Sequence, residues 1–89
     1  MKLKSDYVVY EANEGEKLAV ATGEEAKVFS GMLRANKSAS VILDCLAAET
    51  DEAAIVDALA ARFDAPRDVL AADVANVLDT LRSIGALDE

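Results

Sequence analysis

The spacing of apolar residues changes its period at Asn36, and that switch restricts the chain to a small set of folds. Before it, apolar positions recur every second residue. Tyr7-Val8-Val9-Tyr10 is β-branched and aromatic, and Lys17-Leu18-Ala19-Val20-Ala21-Thr22 repeats the alternation. Asn13-Glu14-Gly15 lies between them with turn chemistry, so the two runs read as a hairpin. Thr22-Gly23-Glu24-Glu25 is a second loop, and Phe29 to Ala35 extends as a third strand, although Glu24 to Arg34 also scans as helix in places. After the switch the period is helical. Asn36 or Ser38 caps a helix with Ala39, Ile42, Leu43 and Leu46 on one face. Thr50 is expected to cap the next, with Asp51 and Glu52 in its first turn and Ile55, Val56, Leu59 and Phe63 as its apolar set. Pro66 opens the last helix, where its missing N–H costs nothing. Leu70, Val74, Val77, Leu78, Leu81 and Ile84 form its stripe, and Gly85 stops it.

Strands followed by helices predict one α+β domain, a three-stranded antiparallel sheet and a trihelical cluster in a winged helix-turn-helix-like arrangement. Residues 1–89 are expected to hold a single core, since a chain of this length buries only about 60% of its unfolded surface. Two tyrosines and two phenylalanines are the only aromatics, so Val, Leu, Ile and Ala must build that core. No uncharged run exceeds six residues, so a membrane-spanning helix is excluded and no membrane partner is expected. Lys2 and Lys4 have no apolar stretch behind them, which is unlike a signal peptide. The lone Cys45 lies in an apolar run and reads as a core or near-core residue, in keeping with a reducing cytoplasm.

Chemistry is limited by what is absent. The chain has no histidine and one cysteine, so the common nucleophile–base pairs and Cys/His zinc sites cannot be assembled. The acids lack the calcium-loop spacing, and no phosphate-loop pattern surrounds Gly23 or Gly31. A non-catalytic protein without a cofactor or metal is expected. Residues 1–37 carry six basic and six acidic side chains, whereas residues 38–89 carry three arginines against eleven acids. The net −8 therefore lies wholly in the helical half, opposite in sign to what phosphate binding requires, and nucleic acid is not an expected partner. Nothing matches the Asp-Ser-Leu setting of a carrier serine. Arg67 and Arg82 stand against Asp68, Asp73 and Asp79 on the last helix, which makes a poor DNA-reading surface.

The succession of segments resembles the PqqD-like family over nearly the whole chain. Tyr7-Val8-Val9-Tyr10 with Leu18-Ala19-Val20 resembles its opening hairpin. Gly31-Met32-Leu33-Arg34-Ala35-Asn36 resembles its third strand running into a capping Asn. Thr50 to Leu59 is similar to its second helix, and Phe63-Asp64 through Gly85-Ala86-Leu87 to its last helix and ending. Ala35 and Leu43 depart from it, where leucine and tryptophan are common. The resemblance implies a RiPP recognition element, which captures the leader segment of a ribosomally made precursor peptide for a modifying enzyme, often a radical S-adenosylmethionine enzyme. The leader would add antiparallel to the third strand, in the cleft facing the last helix. By that resemblance Phe29, Ser30, Met32, Leu33 and Arg34 on the strand, with Asp73, Val74, Asn76 and Val77 on the helix, are the expected peptide-binding residues. Phe29, Leu33 and Ala35 are expected to face the helices. The free strand edge leaves pairing of two copies into a homodimer open. The competing reading is an acidic winged-helix protein–protein interaction module in regulation. In either case duplex DNA should be repelled at ranges up to about a Debye length, ~8 Å. A gel shift at physiological salt is expected to give no dissociation constant tighter than about 1 μM.

Overall fold

The computed structural model describes residues 1–12, 14–23 and 32–89, in the order β1 (Lys2–Leu3), β2 (Tyr7–Glu11), β3 (Lys17–Ala21), β4 (Met32–Ala35), α1 (Lys37–Cys45), α2 (Glu52–Ala60), α3 (Arg67–Ser83) and β5 (Leu87–Asp88). The expected α+β architecture is present: an antiparallel sheet in the order β2-β3-β4 followed by three helices. Val8, Val20 and Met32 stand opposite one another across the sheet, as do Tyr10, Leu18 and Arg34. Alternation sends these side chains to the outer face, and sends Tyr7, Ala19, Ala21, Leu33 and Ala35 toward the helices. Small residues at 19, 21 and 35 let the sheet approach α1 closely, and Ala19 and Ala35 are almost fully buried. Only Met32 to Ala35 of the expected third strand falls within the described residues, and Phe29 lies outside them. Asn13 of the expected turn lies outside them too, whereas Gly15 holds φ +73°, which a side chain would strain.

Strand passes into helix within one residue. Asn36 keeps extended backbone angles while its side-chain oxygen accepts from the Ala39 N–H at 2.9 Å. The buried Ser40 hydroxyl donates to the Asn36 carbonyl at 2.7 Å, so its burial leaves no polar atom unmatched. α2 differs from expectation. Asp51, not Thr50, is its cap, and its carboxylate accepts from the Ala54 N–H at 2.8 Å. Thr50 instead donates its backbone N–H to the Met1 carbonyl and accepts at its own carbonyl from the Met1 amino group, which removes it from the capping position. Pro66 directly precedes α3, and its carbonyl accepts from the Val69 and Leu70 N–H groups.

The two ends of the chain form a second, two-stranded sheet that alternation could not reveal. β1 pairs with β5 over Lys2–Asp88 and Leu3–Leu87. Each strand is only two residues long, too short to carry a period. The core is the helical seam, in which Ile42, Leu46, Ile55, Leu59, Val74, Leu78 and Leu81 are inaccessible to solvent. The Tyr7 hydroxyl donates to the Ile84 carbonyl at 3.1 Å, tying the sheet to the end of α3. Lys17 meets Asp44 at 2.5 Å and ties the hairpin to α1, and this bond holds the lysine ammonium above its usual range. Among the described residues no helix is long and apolar enough to cross a membrane.

Truncation in the seam and loss of a cap differ in size. Leu78→Ala should lower unfolding free energy by about 2–5 kcal/mol, the lost transfer term plus a cavity. Asp51→Ala should cost about 1 kcal/mol, one exposed cap. Urea titration followed by circular dichroism checks both the order and the gap.

Candidate functional site

β4 stands at the edge of its sheet, and α3 runs beside it with α1 as the floor between them. The space so enclosed is a cleft of about 200 Å³, lined by Leu33, Arg34, Ala35, Ala39, Leu43, Asn76, Val77 and Thr80. Its floor and walls are chiefly aliphatic. On α1, Ala39 and Leu43 are one turn apart, and on α3 Asn76, Val77 and Thr80 share a face. The Thr80 hydroxyl donates to the backbone carbonyl of Asn76 at 3.0 Å, and Asn76 itself is exposed.

Hydrogen-bond parity identifies the backbone groups at the rim. Thr22 donates its N–H to the Asp6 carbonyl and Ala12 to the Glu16 carbonyl, so even-numbered positions of β3 bond toward β2. In an antiparallel ladder successive residues bond to opposite sides, so Lys17 and Ala19 bond toward β4. Their partners are Ala35 and Leu33. The N–H and C=O groups of Met32 and Arg34 therefore point away from the sheet, along the open edge. Arg34 also carries its guanidinium on the outer face, 3.7 Å from Glu16.

Four of the residues expected from sequence, Leu33, Arg34, Asn76 and Val77, come together in this cleft. Met32 is on the same edge with its side chain exposed on the outer face. Asp73 lies one turn beyond, on the rim of a neighbouring depression. Val74 is fully buried and supports the cleft from beneath without lining it. Phe29 and Ser30 fall outside the described residues. Ala35, Ala39, Leu43 and Thr80 are lining residues that sequence reasoning did not place in the site. Thr80 could have been found as the next turn of the Asn76 face. Ala39 and Leu43 carry only the signal of core residues. No group of acids and thiol suited to a metal occurs among the described residues. Cys45 is outside the cleft, and burial, helped by Asp44, pushes its thiol up, which disfavours the thiolate.

The family model for coenzyme PQQ synthesis protein D (PqqD) matches residues 9–87, a span that runs from within β2 through α3 and includes all of the cleft. The chain belongs to the PqqD family. Among solved structures, TbiB1 in complex with the TbiA(beta) leader peptide is similar, with a TM-score of 0.78 and 20% identity over 99% of this chain and 100% of that one. At that identity the likeness is one of fold. No curated protein matches the chain by sequence. In this PqqD-family chain the direction of each β4 amide is directly measurable. Amide exchange followed by NMR should find the Leu33 and Ala35 N–H groups protected, and those of Met32 and Arg34 exchanging at least tenfold faster.

Proposed function

We propose that this chain is a non-catalytic adaptor that captures the leader segment of a ribosomally synthesised precursor peptide and presents it to a modifying enzyme. The observation that carries the reading is the coincidence of two features: outward-facing backbone groups at Met32 and Arg34, and an aliphatic cleft directly behind them. Strand addition uses both at once. An extended peptide beside β4 takes up the outward-facing N–H and C=O groups, and its alternate side chains enter the cleft. In a sheet whose pairs are all antiparallel, the added strand runs antiparallel as well. Leu33, Ala35, Ala39, Leu43 and Val77 supply apolar contact, and Asn76 supplies polar contact on the helix side. Membership of the PqqD family supports a peptide ligand. The similar fold of TbiB1, solved with a leader peptide, supports it further. A radical S-adenosylmethionine enzyme in the cytoplasm is the partner class to which the resemblance in sequence points.

The same reading accounts for the unequal charge. An adaptor needs neither a nucleophile nor a metal, so its helices can be acidic and still leave the cleft aliphatic. The test is calorimetric titration with synthetic peptides covering the short reading frames that neighbour the gene. One of them should bind. Arg34→Pro removes one outward donor on the open edge, where proline is tolerated, and should weaken binding about tenfold, as a lost bond and a stranded partner warrant. Asn76→Arg should crowd the cleft and weaken it at least as much, with helical circular dichroism unchanged. Parent-like binding by both folded variants would refute strand addition at this cleft.

A further inference from the structure

The sheet has a second edge, on the side away from β4. β2 is the outermost strand there and pairs only with β3 among the described residues. The Ala12 N–H donates to the Glu16 carbonyl, so Val8 and Tyr10 bond toward β3 and the residues between them turn the other way. The N–H and C=O groups of Val9 and Glu11 therefore point out of the sheet, and no backbone bond among the described residues takes them up. The Tyr7 N–H is given to the Lys4 carbonyl at 3.0 Å, which ends the open stretch on that side. Two surfaces flank it. On the outer face Tyr10 is 54% exposed and stands beside the half-buried Val8. On the inner face a depression of about 290 Å³, whose lining includes Lys4, Val9, Leu43 and Ala47, separates β2 from α1. Unpaired backbone, an apolar outer face and room beneath are what a further strand requires.

The sequence of β2 is complementary to itself. Its outward-bonding residues are odd-numbered, so an antiparallel copy must set odd against odd. With Val9 against Val9 the copies share a twofold axis, and Val9 of each donates to and accepts from the other. Val8 of each copy then faces Tyr10 of the other in a non-hydrogen-bonded pair, an aromatic and β-branched match made twice on the outer face. Glu11 of each lies opposite Tyr7 of the other, beside Lys4 of opposite charge in the depression. Other registers are poorer. Tyr10 against Tyr10 brings the two Glu11 carboxylates to diagonal positions, and Glu11 against Glu11 sets like charges face to face. Val8 against Val8 pairs Val9 with Tyr7, whose N–H is engaged.

We infer that β2 is the interface of a homodimer, in which two copies join about Val9 into one six-stranded antiparallel sheet of order β4-β3-β2-β2-β3-β4. The inference stands apart from peptide capture and is compatible with it, because both β4 edges and both clefts remain at the outer ends of the sheet. Two five-residue strands bury little area, so the dimer should be weak, with a dissociation constant of roughly 10 μM to 1 mM.

The test is sedimentation equilibrium on the full chain up to about 1 mM, with cysteine cross-linking to read the register. A reversible dimer is expected. Val9→Pro costs no bond within the chain, since that N–H faces outward, and should weaken the dimer at least tenfold with circular dichroism unchanged. In a Cys45→Ala background, Val8→Cys chains alone and Tyr10→Cys chains alone should stay single under mild oxidation. Their mixture should cross-link, because positions 8 and 10 of different copies stand about 4.5–5.5 Å apart at Cβ. Monomer throughout the concentration range overturns the inference. So does a dimer indifferent to Val9→Pro but lost on Arg34→Pro, which forms at the β4 edge instead. Cross-linking of either cysteine variant alone, without the mixed product, overturns the register and with it the self-complementarity on which the inference stands.

Discussion

The junction at Asn36 is the constraint on which the rest of the molecule depends. One residue ends the edge strand and starts the first helix, so the angle between sheet and helices is set over a single residue. Ala35 is buried just before the turn, the Asn36 side chain caps α1, and the Ser40 hydroxyl bonds back to the Asn36 carbonyl. These contacts fasten β4 to α1 locally, before any distant packing is needed. A strand end that is buried and hydrogen-bonded in this way cannot slide by one register, because a slip would turn Ala35 and Leu33 to solvent and Met32 and Arg34 inward.

From this junction the cleft follows. α1 lies under the sheet, and α3 packs on α1 and α2 through Val74, Leu78 and Leu81, leaving Asn76, Val77 and Thr80 facing the open edge of β4. The buried stripe and the cleft-lining face belong to the same helix, their centres about a third of a turn apart. Core packing thus places the binding wall, and a mutation in the stripe would move the wall even though it touches no ligand. The strand side is held by β3, whose small Ala19 sits opposite Leu33. A larger residue there would push the edge away from α3.

Electrostatics divide the molecule in a matching way. The sheet half is neutral overall, and the acids are spread over the helical half. Several of them are matched locally: Asp44 by Lys17, Asp57 by Arg67, and Glu89 by Arg82, whose guanidinium holds the Glu89 carboxyl below its usual range. Such exposed pairs contribute little to stability. None of these pairs lines the cleft, whose one charged lining residue, Arg34, is exposed.

Sequence alone determined the order of the hairpin, third strand and helices, the helical apolar stripes, and a choice of Asn36 or Ser38 for the α1 cap, because each depends on residues within one or two turns of one another. The resemblance to the PqqD-like family nominated Leu33, Arg34, Asn76 and Val77, and periodicity separated the two faces of the sheet. Local pattern misassigned the α2 cap to Thr50, since Thr50 is engaged by Met1, a partner 49 residues away. It did not detect β1 and β5, whose two-residue pairing has no local pattern. It could not separate Val74, wholly buried, from Val77, which lines the cleft, because neighbours on an apolar stripe differ only in what packs over them. Only the tertiary structure decided which backbone groups point along the open edge, and that Ala39, Leu43 and Thr80 join the site. Both depend on register and on the seating of one helix against another, quantities fixed by long-range packing and carried by no single segment of the chain.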